Sequence, residues 1–426
     1  MVHGVNMVDK QPPYYPAAEG FGAADAAWLA GAGFTVVRLG VLATGLMPSP
    51  GKISQSYLGG LAQTVSALSK EHIMVLLDLH QDGFGPTVGS DGFPAWMTLT
   101  GSAVNTHVGF PNYYVQDPAT QAAFQSLWAD APGPNGVGLQ SDVAQMVGAL
   151  AKRFSGSPAV LGYEVLNEPW PGTTWEPCTT PPAGCPTLER QELDPLYARV
   201  DRAVRAVDPA HLIFVEPFVL FNYGTVTTGV SLPGGDPRSG LAFHQYATST
   251  AAAGKVLANG IGWSARTGGA LIATEWGATQ AAPSISAQAA QFDQALVPWI
   301  FWAFNADVVH QVSEPPRGAN VISSSVGALV RPYPFVVAGT PTSIAYTPSK
   351  RTLGASWSTT EPDGRRAGPG AVSSIEIPKL VYPSGTQVTV TGGRVTSQPC
   401  APLLTVVADP QAASVSVQVA PGTGCR

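Results

Sequence analysis

Eight short runs rich in Val, Ile and Leu recur at intervals along roughly the first three quarters of the chain. They are His3–Met7, Thr35–Val41, Ile73–His80, Val160–Asn167, Leu212–Glu216, Leu241–Tyr246, Ala270–Trp276 and Trp299–Phe304. Helix-like stretches rich in alanine or amphipathic in pattern separate them, among them Ala23–Ala32, Tyr57–Lys70, Ser141–Phe154, Glu192–Val207 and Ala287–Leu296. Strand and helix alternating eight times is the pattern of a (β/α)8 barrel, which takes about 250 residues plus insertions. The sequence therefore predicts an α/β fold with a TIM barrel over residues 1–330.

After the eighth run the pattern changes to short alternating runs of Val, Thr and Ser, broken by Pro and Gly. Examples are Ser373–Ile377, Gln387–Thr391, Leu403–Val407 and Ser414–Val419. A period of two indicates strands with one buried face, so residues 331–426 are predicted to form an antiparallel β-sandwich. Such a domain could bind carbohydrate, but we expect it mainly to pack on the barrel and stabilise it.

Charge and apolar patterning exclude two classes of partner. The formal net charge is −6 and only 12% of the residues are charged, so there is no basic stripe for phosphate backbones and we predict no nucleic-acid partner. The longest apolar stretch, Ala26–Met47, carries Arg38 near its middle. A charge there costs about 2.5–3.5 kcal/mol on insertion scales, so we predict no transmembrane segment. We expect a monomer.

The four cysteines form two local pairs, Cys178 with Cys185 and Cys400 with Cys425. They lack the spacing of a zinc site, so two disulfides are the preferred interpretation, although sequence alone allows three pairings. Disulfides persist in oxidising compartments, which predicts a secreted protein. No charged and apolar leader precedes His3, so a secretion leader would already have been removed.

Polar side chains stand at or near the ends of most of the eight runs. They are Arg38, His80, Asn167, Glu168, Glu216, His244, Tyr246, Glu275 and Trp302. Any one of them alone could be a structural hydrogen-bonding group. The carboxyl ends of the strands, however, form the active-site face of barrel enzymes, so we expect these side chains to meet at one mouth.

Two glutamates carry the chemistry. Glu168 and Glu275 follow or end the fourth and seventh runs, 107 residues apart, which places them opposite each other across the mouth. Two carboxyl groups about 5–5.5 Å apart suit a retaining glycosidase, in which one attacks the anomeric carbon and the other donates and later removes a proton. No HExxH motif, EF-hand or aspartate cluster supplies metal ligands, so we predict neither a metal nor a cofactor.

Taken together, the ordered strand-end residues resemble the active site of glycoside hydrolase family 5, a family of retaining (β/α)8 enzymes. Within it, three further features are similar to the endoglycoceramidases: Asp78-Leu79-His80-Gln81-Asp82, the early Lys10, and Arg331-Pro332-Tyr333-Pro334 followed by Val337-Ala338-Gly339-Thr340-Pro341. Enzymes of that group cleave the bond between the glycan and the ceramide of glycosphingolipids and carry a C-terminal β-sandwich. The resemblance covers nearly the whole chain.

The resemblance also implies roles. Glu168 would be the acid/base and Glu275 the nucleophile, whose charge would raise the pKa of Glu168 until the sugar esterifies Glu275. The substrate-binding residues would be Lys10, Arg38, His80, Asp82, Asn167, His244, Tyr246 and Trp302. Among these, Arg38 and Tyr246 would hydrogen-bond the nucleophile, Asn167 would bind the sugar 2-hydroxyl, Lys10, His80 and Asp82 would hold other hydroxyls, and Trp302 would lie under the ring.

Apolar loops point to a lipid on the other side of the scissile bond. They carry Phe93, Trp96, Met97, Phe110, Tyr113, Tyr114 and the segment Pro217–Tyr223. Exposed apolar patches often mark lipid sites, although each side chain alone could serve only to pack a loop. The residues before Lys10 slightly favour galactosylceramide over glucosylceramide. Two alternatives stay open: a β-glucanase or β-mannanase of the same family, and a non-catalytic carbohydrate-binding barrel.

Overall fold

The computed structural model describes residues 1–224, 226–247 and 249–423, and within them eight parallel strands close a barrel in chain order, with β1 paired to β8. The strands are β1 (His3–Met7), β2 (Val36–Leu42), β3 (Met74–His80), β4 (Val160–Glu164), β5 (Leu212–Val215), β6 (Ser239–Gln245), β7 (Ala270–Trp276) and β8 (Trp299–Phe301). The predicted TIM barrel is confirmed. Strands β4 and β8 end three residues earlier than predicted, so Glu168 and Trp302 lie on loops just beyond them.

Helices cover the outside of the barrel and fill its insertions. They are α1 (Pro16–Glu19), α2 (Ala23–Gly31), α3 (Ala43–Leu46), α4 (Gln55–Lys70), α5 (Tyr113–Gln116), α6 (Pro118–Trp128), α7 (Leu139–Phe154), α8 (Pro186–Arg205), α9 (Thr250–Thr267), α10 (Ala282–Gln294) and α11 (Ser323–Leu329). In the described ranges, none of these helices combines the length and the apolar character needed to cross a bilayer.

The inside of the barrel is layered because side chains alternate between its two faces. One separate cluster of buried apolar side chains comes from six different strands: Val36, Leu76, Phe214, Ala242, Ile272 and Ile300. Two positions further along, four of these strands carry Arg38, Asp78, Glu216 and His244, all buried. An apolar plug thus fills the lower barrel, and a charged layer lies on it directly below the C-terminal mouth.

Two four-stranded sheets follow the barrel. Their strands are β9 (Tyr333–Val336), β10 (Thr340–Thr347), β11 (Thr352–Ser358), β12 (Val372–Glu376), β13 (Thr386–Thr391), β14 (Gly393–Val395), β15 (Leu403–Ala408) and β16 (Ser414–Pro421). The strand orders are β10-β11-β16-β13 and β14-β15-β12-β9, with antiparallel pairing throughout. The predicted β-sandwich is confirmed.

The sandwich packs on the N-terminal end of the barrel, opposite the mouth. The ring of His3, at the start of β1, stacks between Trp299 at 4.0 Å and Tyr333 at 3.7 Å. Arg331 Nη1 donates to Asp293 Oδ2 at 2.9 Å, and both side chains are buried. The junction therefore joins the first barrel strand, the last barrel strand and the first sandwich strand.

One predicted disulfide is present, between Cys178 and Cys185 in the loop that leads to α8. The other predicted pairing involves Cys425, which lies outside the described residues.

Candidate active site

A cleft of about 910 Å³ opens at the C-terminal mouth of the barrel. Six of the predicted site residues line it: Lys10, Asp82, Glu168, Tyr246, Glu275 and Trp302. The other four, Arg38, His80, Asn167 and His244, are at most 1% exposed and lie behind that wall. The structure thus brings the whole predicted set together but divides it into a cleft surface and a buried support.

The two glutamates face each other across one histidine. Carboxylate oxygens of Glu168 and Glu275 and a ring nitrogen of His244 all lie within 4.8 Å of one another. His244 Nδ1 is 2.7 Å from Glu168 Oε1 and 3.5 Å from Glu275 Oε2. This close approach of two carboxyl groups is the arrangement that a retaining glycosidase requires.

The backbone of Glu168 is fixed from both sides. Its φ is +42°, in the left-handed region. This conformation is unfavourable for a residue other than glycine, so surrounding contacts must hold it. The Glu168 N–H donates to Glu216 Oε2 at 3.1 Å, and its carbonyl accepts from Gln81 Nε2 at 3.0 Å. The same Gln81 amide also donates to the Asn167 carbonyl at 2.7 Å. These bonds aim the Glu168 side chain at the cleft.

His244 is buried among three carboxyl groups. Burial works against the charged imidazole, but the charges of Glu216 and Glu275 outweigh burial and raise the pKa of His244 well above its ordinary value. Its Nε2 lies 3.2 Å from Glu216 Oε1, and its Nδ1 faces Glu168 Oε1. The surroundings of the ring therefore favour a proton on Nδ1, which can donate toward Glu168.

Two donors hold the Glu275 carboxylate. Arg38 Nη1 donates to Oε1 at 2.5 Å, and the Tyr246 hydroxyl donates to Oε2 at 2.9 Å. Burial raises the pKa of Glu275, whereas the charges of His244 and Arg38 oppose that effect. The expected bonds from Arg38 and Tyr246 to Glu275 are thus present.

Arg38 also organises the layer beneath. Its guanidinium makes two bonds to Glu164, at 2.9 and 2.8 Å, and lies 3.1 Å from Asp78 Oδ2. It donates further to Asn167 Oδ1 at 2.7 Å. Burial alone would raise the pKa of Glu164, but Arg38 lowers it. One cation therefore neutralises several buried carboxylates and orients the amide that precedes Glu168.

A second charged group lies at one end of the cleft. Lys10 Nζ forms ion pairs with Asp82 and, at 3.4 Å, with Asp91, and it lies 5.6 Å from the centre of the Trp302 ring. His80 stacks beneath Trp302 at 5.6 Å. Burial disfavours its charge, but Asp78 and Asp82 raise the pKa of His80 to about 10. His80 thus supports the Trp302 ring and Asp82 from behind.

Much of the cleft wall is apolar or aromatic. It contains Phe110, Tyr113, Tyr114, Val115, Trp170, Val219, Leu220 and Tyr223. Phe110 is 68% exposed and Tyr223 46% exposed, so both stand at the rim. Phe93 and Met97, by contrast, are buried and do not line the cleft. The apolar loops of the sequence therefore divide into cleft walls and loop packing.

Sequence reasoning missed three polar residues of this site. Glu164 is a charged residue inside an otherwise apolar strand, a signal that could have been used. Asp91 and Asn222 lie on loops, where their residue types are common turn formers. Asn222 Nδ2 donates to Glu168 Oε1 at 3.0 Å, so it contacts one of the two central carboxyl groups.

Among the described residues, three groups of acidic and histidine side chains have ligand atoms close enough to hold a metal ion: His80, Asp82 and Asp91; Glu164, Glu216 and His244; and Glu168, His244 and Glu275. Lys10 already pairs with the first group, and Arg38 pairs with the second and third. In each group a metal ion would therefore lie close to the positive charge of Lys10 or Arg38, which would repel it.

Comparison with known proteins agrees with this geometry. The family model described as cellulase (glycosyl hydrolase family 5) matches residues 22–308, and that of the glycoside hydrolase family 5 C-terminal domain matches residues 331–419. The chain is similar to endoglycoceramidase I of Rhodococcus hoagii (strain 103S), with 32% identity over 437 residues, covering 96% of this chain and 82% of the relative.

Two solved structures share the fold. Endo-glycoceramidase II from Rhodococcus sp., in a lactosyl-enzyme intermediate, superposes with a TM-score of 0.82 at 24% identity, covering 99% of this chain and 97% of the other. An endogalactoceramidase superposes with a TM-score of 0.75 at 21% identity, covering 99% of this chain and 94% of the other. This chain is therefore a glycoside hydrolase that belongs to family 5 and, within it, to the endoglycoceramidase group.

Proposed function

We propose that this enzyme hydrolyses the β-glycosidic bond between the first sugar, galactose or glucose, and the ceramide of glycosphingolipids, with retention of configuration. The observation that carries the proposal is the pair of carboxyl groups, Glu168 and Glu275, within 4.8 Å of one histidine nitrogen and of each other. The similarity to endoglycoceramidase I supports the choice of bond.

In the first step, Glu275 attacks the anomeric carbon while Glu168 gives its proton to the departing ceramide oxygen. Arg38 and Tyr246 donate to both Glu275 oxygens, which favours the carboxylate over the acid and fixes its direction before the substrate arrives. The carbon–oxygen bond to ceramide breaks as the bond to Glu275 forms. Glu168 becomes a carboxylate and Glu275 becomes an ester.

In the second step, water attacks the anomeric carbon of the glycosyl ester, its bond to Glu275 breaks to return the Glu275 carboxylate, and Glu168 takes up the proton of the water. The loss of negative charge on Glu275 in the ester removes its repulsion from the Glu168 carboxylate. Because His244 and Asn222 both hold Glu168 Oε1, the carboxyl group can act first as acid and then as base from one position.

The walls of the cleft suit the two halves of a glycolipid. Lys10, Asp82 and Asp91 offer charged hydrogen-bonding groups for sugar hydroxyls at one end, and Trp302 offers a ring for the sugar face. Val115, Val219, Leu220 and Tyr223 offer an apolar surface for the lipid in the same cleft.

We infer that Lys10 and Gln11, rather than the residues before them, contact the first sugar. Residues 4–9, which favoured galactose in the sequence, do not line the cleft in the described structure, whereas Lys10 and Gln11 do. Asn6, for example, is bonded to Arg38 Nη1 at 3.0 Å inside the barrel. The assay must therefore compare galactosylceramide with glucosylceramide directly.

The test is product analysis on galactosylceramide, glucosylceramide, lactosylceramide, soluble β-glucan and mannan. We expect the wild type to release intact glycan and free ceramide from at least one glycolipid. Glu168→Gln and Glu275→Gln should each do so at no more than about one hundredth of the wild-type rate. Glu176→Gln, in the exposed loop before Cys178, is the matched control and should keep full activity. Release of reducing ends only from the soluble polysaccharides would contradict the proposal.

A further inference from the structure

The two oxygens of the Glu168 carboxyl group lie in different surroundings. Oε1 accepts a bond from Asn222 Nδ2 at 3.0 Å and lies 2.7 Å from His244 Nδ1. No hydrogen bond from the described residues reaches Oε2. The two oxygens of the carboxyl group are therefore not equivalent as sites for a proton.

The orientation of the Asn222 amide follows from its other partner. Asn222 lies in the helical turn Val219–Tyr223 after β5 and is 1% exposed. Its Oδ1 accepts from the backbone N–H of His244 at 3.1 Å. A backbone N–H can only donate, so the amide oxygen must face His244 and the NH2 group must face Glu168.

An NH2 group also can only donate. Oε1 of Glu168 must then offer a lone pair to Asn222, and it offers a second one to His244 Nδ1, on which the neighbouring carboxyl groups favour a proton. A proton on Oε1 would collide with one of these two donors. If Glu168 is to hold a transferable proton, that proton belongs on Oε2.

We propose that Asn222 is a positioning residue that, with His244, keeps Oε1 of Glu168 as an acceptor and so places the transferable proton on Oε2, where the leaving-group oxygen can receive it. This rests on the proposed role of Glu168 as the acid/base. In the step itself the proton passes from Oε2 to the departing oxygen as its bond to the sugar breaks, and Oε1 keeps both donors throughout. The same two bonds stabilise the carboxylate that results.

The test separates proton donation from packing by changing the leaving group. Octyl and 2,4-dinitrophenyl β-glycosides of one sugar share the first sugar site, but dinitrophenolate departs without a proton. Asn222→Asp is an isosteric change. We expect it to lower kcat/KM on the octyl glycoside about 10- to 100-fold, a smaller loss than the roughly 10²–10⁴-fold that follows removal of a general acid. On the dinitrophenyl glycoside we expect a change of less than about threefold, because no proton transfer is required.

The pH profile gives a second measurement. A carboxylate at position 222 faces Glu168 Oε1 as a like charge, which disfavours ionisation of Glu168. We expect the basic limb of kcat/KM on the octyl glycoside to move to higher pH in Asn222→Asp. Asn222→Ala adds no charge and should also lose more activity on the octyl glycoside than on the dinitrophenyl glycoside. It provides the same test if Asn222→Asp folds poorly.

Asn259→Asp is the matched control, because Asn259 Nδ2 holds the Val226 carbonyl of the same loop at 2.9 Å without touching Glu168. Equal losses on both glycosides in the Asn222 variants would show a packing role and overturn the inference, as would no loss on either. Failure of the wild type to release ceramide would defeat only the proposed substrate, since the leaving-group comparison uses glycosides without ceramide.

Discussion

Replacing Arg38 by glutamine tests the charged layer under the mouth most directly. Arg38 is fully buried and contacts the carboxylates of Glu164, Asp78 and Glu275 at 2.8, 3.1 and 2.5 Å. Removing one partner of a buried ion pair costs about 3–5 kcal/mol, because the remaining charge is left without compensation. We therefore expect the free energy of unfolding at pH 7 to fall by about that amount in Arg38→Gln.

The loss should depend on pH in a defined direction. Without Arg38, burial raises the folded-state pKa values of the stranded carboxyl groups above those of the unfolded chain, so the folded state binds protons that the unfolded state does not. Stability is then recovered as the pH falls. One carboxyl group with a folded pKa above 7 recovers up to about 2.7 kcal/mol between pH 7 and pH 5, at about 1.4 kcal/mol per unit.

The assay is urea unfolding of wild type and variant at pH 7 and pH 5, with Arg153→Gln as the control. Arg153 lies exposed in the last turn of α7, so its replacement should change stability by less than about 0.5 kcal/mol. A loss in Arg38→Gln below about 1 kcal/mol, or an equal loss at both pH values, would refute this account of Arg38.

Two further predictions concern residues away from the cleft. Burial raises the pKa of Glu192 to about 8, and no described residue bonds its Oε2, so the folded state loses stability as the pH rises from the ordinary carboxyl range through 8. Glu192→Gln should therefore be more stable than wild type at pH 9 and equal to it at pH 4, and its advantage should grow with pH by less than about 1.4 kcal/mol per unit. Equal thermal midpoints at pH 9 would count against this. Replacing Cys178 and Cys185 by serine opens a loop of sequence separation 7 and should cost about 2–3 kcal/mol in chemical unfolding, whereas an unchanged midpoint would show that the bond contributes nothing.

The barrel and the central glutamates could be predicted from sequence because both follow from local periodicity. Recurring apolar runs define the strands, and the point where each run ends in the sequence marks the carboxyl end of its strand. Glu168 and Glu275 follow from that rule. Their neighbours in the cleft, such as Tyr246 and Trp302, follow for the same reason.

Contacts between distant loops could not be predicted in this way. Asn222 reaches Glu168 across a separation of 54 residues, and an asparagine in a loop is more often a turn former than a partner of a carboxyl group. His80 was placed correctly at the end of β3 but was expected to bind sugar. The structure buries it with its ring against the indole of Trp302, and its contact with sugar hydroxyls stays a prediction.

The junction between β1, β8 and the sandwich has a consequence for biosynthesis. The amino group of Met1 donates to the Phe335 carbonyl at a separation of 334 residues, and His3 needs both Trp299 and Tyr333. At about 5–20 residues per second, a ribosome takes roughly 20–70 s to make the chain between them. The first strand made is the last barrel strand to gain its second neighbour, β8, so the nascent barrel keeps an open apolar edge until Trp299–Phe301 has emerged. The time for which the nascent chain needs chaperones should therefore depend on how long the ribosome takes to reach β8, and the contacts of Met1 and His3 with the sandwich form only afterwards.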